Sequence, residues 1–191
     1  MKKIILTAMI AVLGFTMANA QESEGFKGKW FLMGQAGYNT TENNSIRNYS
    51  ILPAVGNFIA PTVAIGGAIG YVGQSVKDSD AKTGAFIVQP LARKYWGIND
   101  KLYIFGQAAV PLEFGTITDA GNNDIDYTGY GFAISPGLDY FLSSHWSIEA
   151  QFGLLGWSGT SIKDGDSSSD FEFGLNSGLL TGINIGIKYV F

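Results

Sequence analysis

The chain ends in Ile183-Asn184-Ile185-Gly186-Ile187-Lys188-Tyr189-Val190-Phe191. Ile183, Ile185, Ile187, Tyr189 and Phe191 alternate with Asn184, Gly186, Lys188 and Val190. A period of two gives an extended strand one apolar face and one mostly polar or small face. The stretch from Trp146 repeats the pattern, with Trp146, Ile148, Ala150, Phe152 and Leu154 on one face and Ser147, Glu149, Gln151 and Gly153 on the other. Neither stretch has the 3.6-residue period of an amphipathic helix.

Working back from this end, the same reading gives eight strands, at Gly28–Asn39, Tyr49–Asn57, Thr62–Gln74, Thr83–Tyr95, Lys101–Phe114, Tyr127–Tyr140, Trp146–Ser158 and Phe171–Phe191. The last is longer than a crossing requires, and its first part is expected to stand in a loop. Three connections are short: Phe58 to Pro61, Trp96 to Asp100, and Phe141 to His145. Four are longer and polar, carrying Thr41-Glu42-Asn43-Asn44, Lys77-Asp78-Ser79-Asp80, Asp119 to Asp124, and Lys163 to Asp170. An even number of strands with short turns at one end and long loops at the other is the layout of an outer-membrane barrel. A hairpin unit also repeats: Pro53, Pro90 and Pro136 each precede an aromatic by five residues, then a tight turn. Proline cannot donate to a ladder, so a bulge is expected near each one.

Polarity decides which way such a barrel faces. Arg93, Asp139, Glu149, Gln107, Gln151 and Asn184 sit mid-strand opposite the apolar positions. Inside a small lumen they can pair with one another; scattered through a soluble core they would be costly. Aromatics gather at strand ends. Trp30, Trp96, Tyr140, Trp146, Tyr189 and Phe191 lie toward the short turns, and Tyr38, Tyr71, Phe114, Tyr130 and Trp157 toward the long loops. Two aromatic girdles around an aliphatic band match a lipid slab with two interfaces. The expected fold is therefore all-β: an eight-stranded antiparallel transmembrane β-barrel, an up-and-down meander. Its lumen would be filled by side chains. Gly66, Ala68, Gly70, Gly131, Ala133 and Gly137 are small inward candidates that could leave a gap, and Arg93, Asp139, Glu149, Tyr103 and Phe105 would plug it.

The first twenty residues carry a basic start at Lys2 and Lys3, an apolar run from Ile4 to Phe15, and Ala18-Asn19-Ala20 as a cleavage site. That is the layout of a secretory signal peptide. The expected division is a signal peptide over 1–20 and a barrel domain over 21–191. The leader removes two lysines, leaving 10 basic against 16 acidic residues, a net charge of −6. An acidic chain is a poor partner for nucleic acid.

The leader, the run Ile134-Ser135-Pro136-Gly137-Leu138-Asp139-Tyr140-Phe141 with Trp146-Ser147-Ile148-Glu149-Ala150, and the terminal Lys188-Tyr189-Val190-Phe191 together resemble the small outer-membrane β-barrel domain family, the porin-like proteins of the OmpA/OmpX type. The resemblance implies a monomer in the cell outer membrane, among outer-membrane lipid and lipopolysaccharide. It also implies that Ile185, Ile187, Tyr189 and Phe191 form the signal read by the barrel-assembly machinery. The implied role is structural or surface interaction, stabilising the membrane and presenting polar loops to a surface ligand. A narrow porin-like channel or a carrier of small apolar solutes is the alternative, and a lipid-modifying enzyme the remote one.

Chemistry-bearing residues are sparse. No Cys and a single His leave no thiolate or multi-histidine metal site. His145 falls in a short turn beside Ser143 and Ser144, at the end away from lipopolysaccharide, and neighbours in a turn do not define a triad. Asp139 and Glu149 lie in a lumen too narrow for a bound sugar between two carboxylates. They read instead as members of an ion-pair network with Arg93. Asp164, Asp166, Ser168 and Asp170 alternate like a calcium loop, but the Gly and Glu that an EF-hand needs are Ser169 and Leu175. No catalytic residue, cofactor or metal ligand is expected.

Overall fold

The computed structural model describes residues 25–40, 45–121, 123–163, 167–173 and 183–191. The signal-peptide expectation lies outside them. Among the described residues the backbone forms eight strands. They are β1 (Trp30–Thr40), β2 (Ile46–Ala60), β3 (Val63–Val76), β4 (Lys82–Gly97), β5 (Leu102–Ala109, continuing as Leu112–Thr118), β6 (Asp124–Phe141), β7 (Trp146–Phe152 and Leu155–Ile162) and β8 (Ser167–Phe173 and Ile183–Val190). Both segments of β5 pair with β4 and β6, and both segments of β7 pair with β6. Each segment of β8 pairs with one of β7. Every strand is antiparallel to its neighbour, and β8 returns to β1 from Phe31↔Val190 to Gly37↔Asn184. Trp30 and Phe191 close that seam by exchanging N–H···O bonds, both 2.8 Å. The sheet is a closed eight-stranded meander in which Ile183–Val190 has a neighbour on each side, while Ser167–Phe173 pairs with β7 alone among the described residues.

The alternation seen in the sequence becomes an inside and an outside. Ile51 is 65% exposed beside Leu52 at 1%, and Ile185 is 59% exposed beside Asn184 at 2%. The girdle residues Trp30, Trp96, Tyr140, Trp146, Tyr38, Tyr71, Phe114, Tyr130 and Trp157 all face outward. The apolar belt therefore clothes the exterior, and the lumen holds the buried polar groups.

Three expectations change. Register holds across Pro53 and Pro90, which oppose Gly34 and Gly67. An antiparallel residue directs its N–H and C=O at one neighbour only, so a missing N–H interrupts one pairing without an extra residue. Between β2 and β3 the ladder skips Leu52 and Pro53 and resumes unchanged. Pro136 does lie beside a shift: Gly137 pairs with Gln151 but Ile134 with Leu155, so β7 carries one extra residue there. A second bulge, between Phe58 and Ala60, adjoins the Pro61 turn. The polar run Ser167 to Asp170 and the start of the last predicted strand are not loop: Ser167–Phe173 pairs with Leu155–Ser161. Backbone pairing satisfies N–H and C=O groups whatever the side chains, so a polar hairpin continues the barrel.

The short turns are built from side-chain acceptors. Asn99 Oδ1 takes the N–H groups of Lys101 and Leu102, each at 2.9 Å. Ser143 Oγ takes those of His145 and Trp146 at 3.3 and 3.1 Å. At the loop end Asp119 plays the same part for Gly121 and Asn123 at 2.7 and 2.9 Å. Hydrogen bonds from the Asn123 side chain, then its backbone, hold the Asp119 carboxyl below its ordinary value.

Candidate functional site in the barrel lumen

Register sets the lumen network. Arg93 on β4 stands directly opposite Gln107 on β5, and Asp139 on β6 opposite Glu149 on β7. Two carboxylates facing one another across a ladder repel. Each is met by a different cation. Arg93 crosses the lumen to Glu149, Nη1 to Oε2 at 2.8 Å and Nη2 to Oε1 at 3.2 Å. Lys188 on β8 reaches past Ser147 on β7 to pair with Asp139. The four side chains are buried, and their charges sum to zero.

Neutral groups complete the cluster. Arg93 Nε donates to Gln107 Oε1 at 2.7 Å. Gln35 Nε2 donates to Glu149 Oε1 at 2.7 Å and to Gln151 Oε1 at 2.9 Å. Gly186 makes that reach feasible, because it pairs with both Gln35 and Glu149 and puts no side chain between them. Tyr95 OH lies 3.4 Å from both Arg93 Nη1 and Lys188 Nζ. The Arg93 guanidinium sits 4.6 Å from the Phe105 ring centroid, and Lys188 Nζ 4.9 Å from that of Tyr95. Both cations thus gain attraction from ring faces in a desolvated place. Asp139 Oδ1, Ser147 Oγ and Gln151 Nε2 keep unused hydrogen-bonding capacity among the described residues.

Below this layer the lumen is floored by aromatics. The segment before β1 turns back under the barrel and inserts Phe26 between Phe58, Tyr103 and Phe141, at ring distances of 4.9, 5.4 and 5.3 Å. Gly25 and Gly28 allow that turn with φ of +44° and +82°, and a side chain at 25 would also strike Pro61. The Phe26 N–H donates to Pro61 O at 3.2 Å and the Gly28 N–H to Phe58 O at 2.8 Å.

Of the predicted lumen residues, Arg93, Gln107, Glu149 and Gln151 converge, and Asp139 joins them through Lys188. Asn184 stands apart, accepting from Ser50 Oγ at 3.3 Å. Lys188, Gln35, Tyr95 and Phe26 belong to the site as well. Strand parity places Lys188 on the inward face, opposite Ile187 and Tyr189. β1 has small residues on both faces, which hid Gln35. Nothing in the sequence distinguished Phe26.

The expected gap beside the small residues is absent at three of them. A side chain on Gly137 would overlap the Phe105 ring, and one on Gly66 or Gly70 would meet the β2 carbonyls of Val55 or Ile51. These glycines seat a ring and a neighbouring strand. Gly137→Val would drive its Cβ into the Phe105 ring. We expect it to cost about 1–3 kcal/mol, measured as a lower urea midpoint in lipid vesicles.

The other singled-out residues lie elsewhere. Ile185, Ile187 and Phe191 face outward, and Tyr189 packs on Trp146 at 4.8 Å. His145 is exposed in its turn, with Nδ1 2.8 Å from Ser144 Oγ and its ring on Tyr189. Asp164 and Asp166 lie outside the described residues; Ser168 and Asp170 are on β8.

No protein-family model and no curated protein matches this sequence. Solved structures do share its fold. The N-terminal β-barrel domain of Pseudomonas aeruginosa OprF superposes with a TM-score of 0.54 at 11% identity, over 86% of this chain and 98% of that one. Neisserial surface protein A gives 0.53 at 14% identity, over 88% and 100%. The outer membrane protein OprG from P. aeruginosa gives 0.55 at 12% identity, over 87% and 97%. The chain thus has the fold of eight-stranded outer-membrane barrels.

Proposed function

We propose that this chain is an integral outer-membrane protein, exported by the leader over 1–20, whose barrel serves a structural and surface-display role. One observation carries the reading. The exterior is a belt of aliphatic residues between aromatic girdles, while Arg93, Glu149, Lys188 and Asp139 lie buried in the lumen. Water favours the opposite arrangement, and a bilayer favours this one. The barrel would stand as a monomer among lipid and lipopolysaccharide, inserted by the barrel-assembly machinery acting on Ile185, Ile187, Tyr189 and Phe191. Its four polar loops would face outward, where a surface ligand would meet them.

The filling of the lumen supports a role in display rather than transport. The neutral ion network and the floor of Phe26, Phe58, Tyr103 and Phe141 stack across the path a solute would take. A non-catalytic role fits the placement of the Ser144–His145 contact, exposed at the short-turn end. Two measurements test the proposal. Detergent-extracted chain should migrate differently on a gel before and after boiling, as a folded membrane barrel does. Inserted in planar bilayers it should give no steady unitary current. Identical migration would remove the membrane barrel, and a steady current would favour the narrow channel.

A further inference from the structure

At the loop end of the lumen lies a cavity of about 190 Å³ whose polar lining includes Asn48, Ser50, Thr83, Glu113 and Tyr127, with Val72 as an apolar wall. Glu113 is 6% exposed. Among the described residues its carboxylate accepts one hydrogen bond, from Tyr127 OH at 3.4 Å. No Lys or Arg pairs with it among the described residues, and the undescribed stretches beyond residue 24 contain neither type. The inward cations Arg93 and Lys188 are already matched to Glu149 and Asp139. A desolvated carboxylate without a cation is costly, so this one is set to receive charge from outside the chain.

The surroundings narrow the class of ligand. The four long connections between these strands hold six acidic residues, Glu42, Asp78, Asp80, Asp119, Asp164 and Asp166, against Lys77 and Lys163, so the field at the loop end gathers cations. The cavity is smaller than the roughly 300–1,000 Å³ of drug-sized pockets, so the ligand is small. Calcium and magnesium need a crowded shell of oxygen ligands, usually with more than one carboxylate, and the lining supplies one. A carboxylate beside hydroxyls, a phenol and an aliphatic wall suits an alkylammonium ion instead. We propose that this cavity binds the ammonium group of a small organic amine, with Glu113 as the charged acceptor, Tyr127 and Thr83 as flanking hydroxyls and Val72 against the alkyl chain. This deepens the display reading, resting on it only for the side from which the amine arrives.

The test is an NMR titration of the folded barrel in detergent micelles with n-butylammonium chloride. Sodium chloride controls for ionic strength, and calcium chloride is the metal arm. Saturable shifts are expected at the Thr83, Glu113 and Tyr127 amides. Glu113→Gln should weaken binding about tenfold or more, because it removes a charge-assisted bond. Tyr127→Phe should weaken it by a smaller factor, about two- to tenfold. No saturable shift in the wild type, equal affinity in Glu113→Gln, or tighter binding of calcium than of butylammonium would each overturn the site. Gel mobility before and after boiling, read on the same samples, separates the two readings. A barrel that shifts but binds nothing loses only this site, whereas a chain that never shifts loses the barrel as well.

Discussion

Replacing Arg93 with alanine is expected to lower the stability of the folded barrel by about 3–5 kcal/mol, the usual effect of removing one partner of a buried ion pair. The mechanism is the stranded charge. Glu149 would keep the bond from Gln35 but lose both bonds from the guanidinium. Gln107 Oε1 would lose the Arg93 Nε donor, and the Phe105 face its cation. With a urea slope of about 2 kcal/mol/M, the midpoint in lipid vesicles should fall by roughly 2 M. The double variant Arg93→Ala with Glu149→Gln should recover part of that loss, because it removes the uncompensated carboxylate. An unchanged midpoint in Arg93→Ala would show that the network does not brace the barrel.

The second large effect comes from the opposite surface. Val55 faces outward at 47% exposure, between Leu32 and Gly67 on the flanking strands. Placed against lipid well inside the two girdles, Val55→Arg should destabilise the inserted barrel by about 2–4 kcal/mol. The same arginine at Ser79, in a loop, should stay within about 0.5 kcal/mol of the wild type. The contrast identifies the solvent. On a water-facing exterior both substitutions would be nearly neutral, so equal unfolding midpoints for the two in vesicles would contradict a lipid-facing belt.

Much of this architecture is legible in the sequence. Strand number, the short and long connections, the outward girdles and the inward position of Arg93, Asp139 and Glu149 all follow from a period of two and the placement of turn residues. The errors have local causes. Proline reads as a ladder breaker, yet Pro53 and Pro90 forfeit one hydrogen bond each and leave the register intact. Ser167 to Asp170 reads as loop because serine and aspartate are poor strand formers, yet pairing with β7 overrides that preference. Phe26 is not legible there, because a single aromatic before the first strand carries no periodic signal.

Which side chains look in and which look out is settled within each strand, because the alternation is a property of a single extended segment. Only closure decided which inward groups meet. Arg93 and Glu149 are 56 residues apart, and Lys188 and Asp139 49 apart. Their contacts depend on the registers of several ladders and on the bulge in β7, and none of these is written in any one strand. The Glu113 cavity has the same origin: it exists where inward residues of β1 to β6 fail to fill the space between them. Alternation is settled by local sterics, whereas pairing across a lumen is settled by where the ring of strands closes.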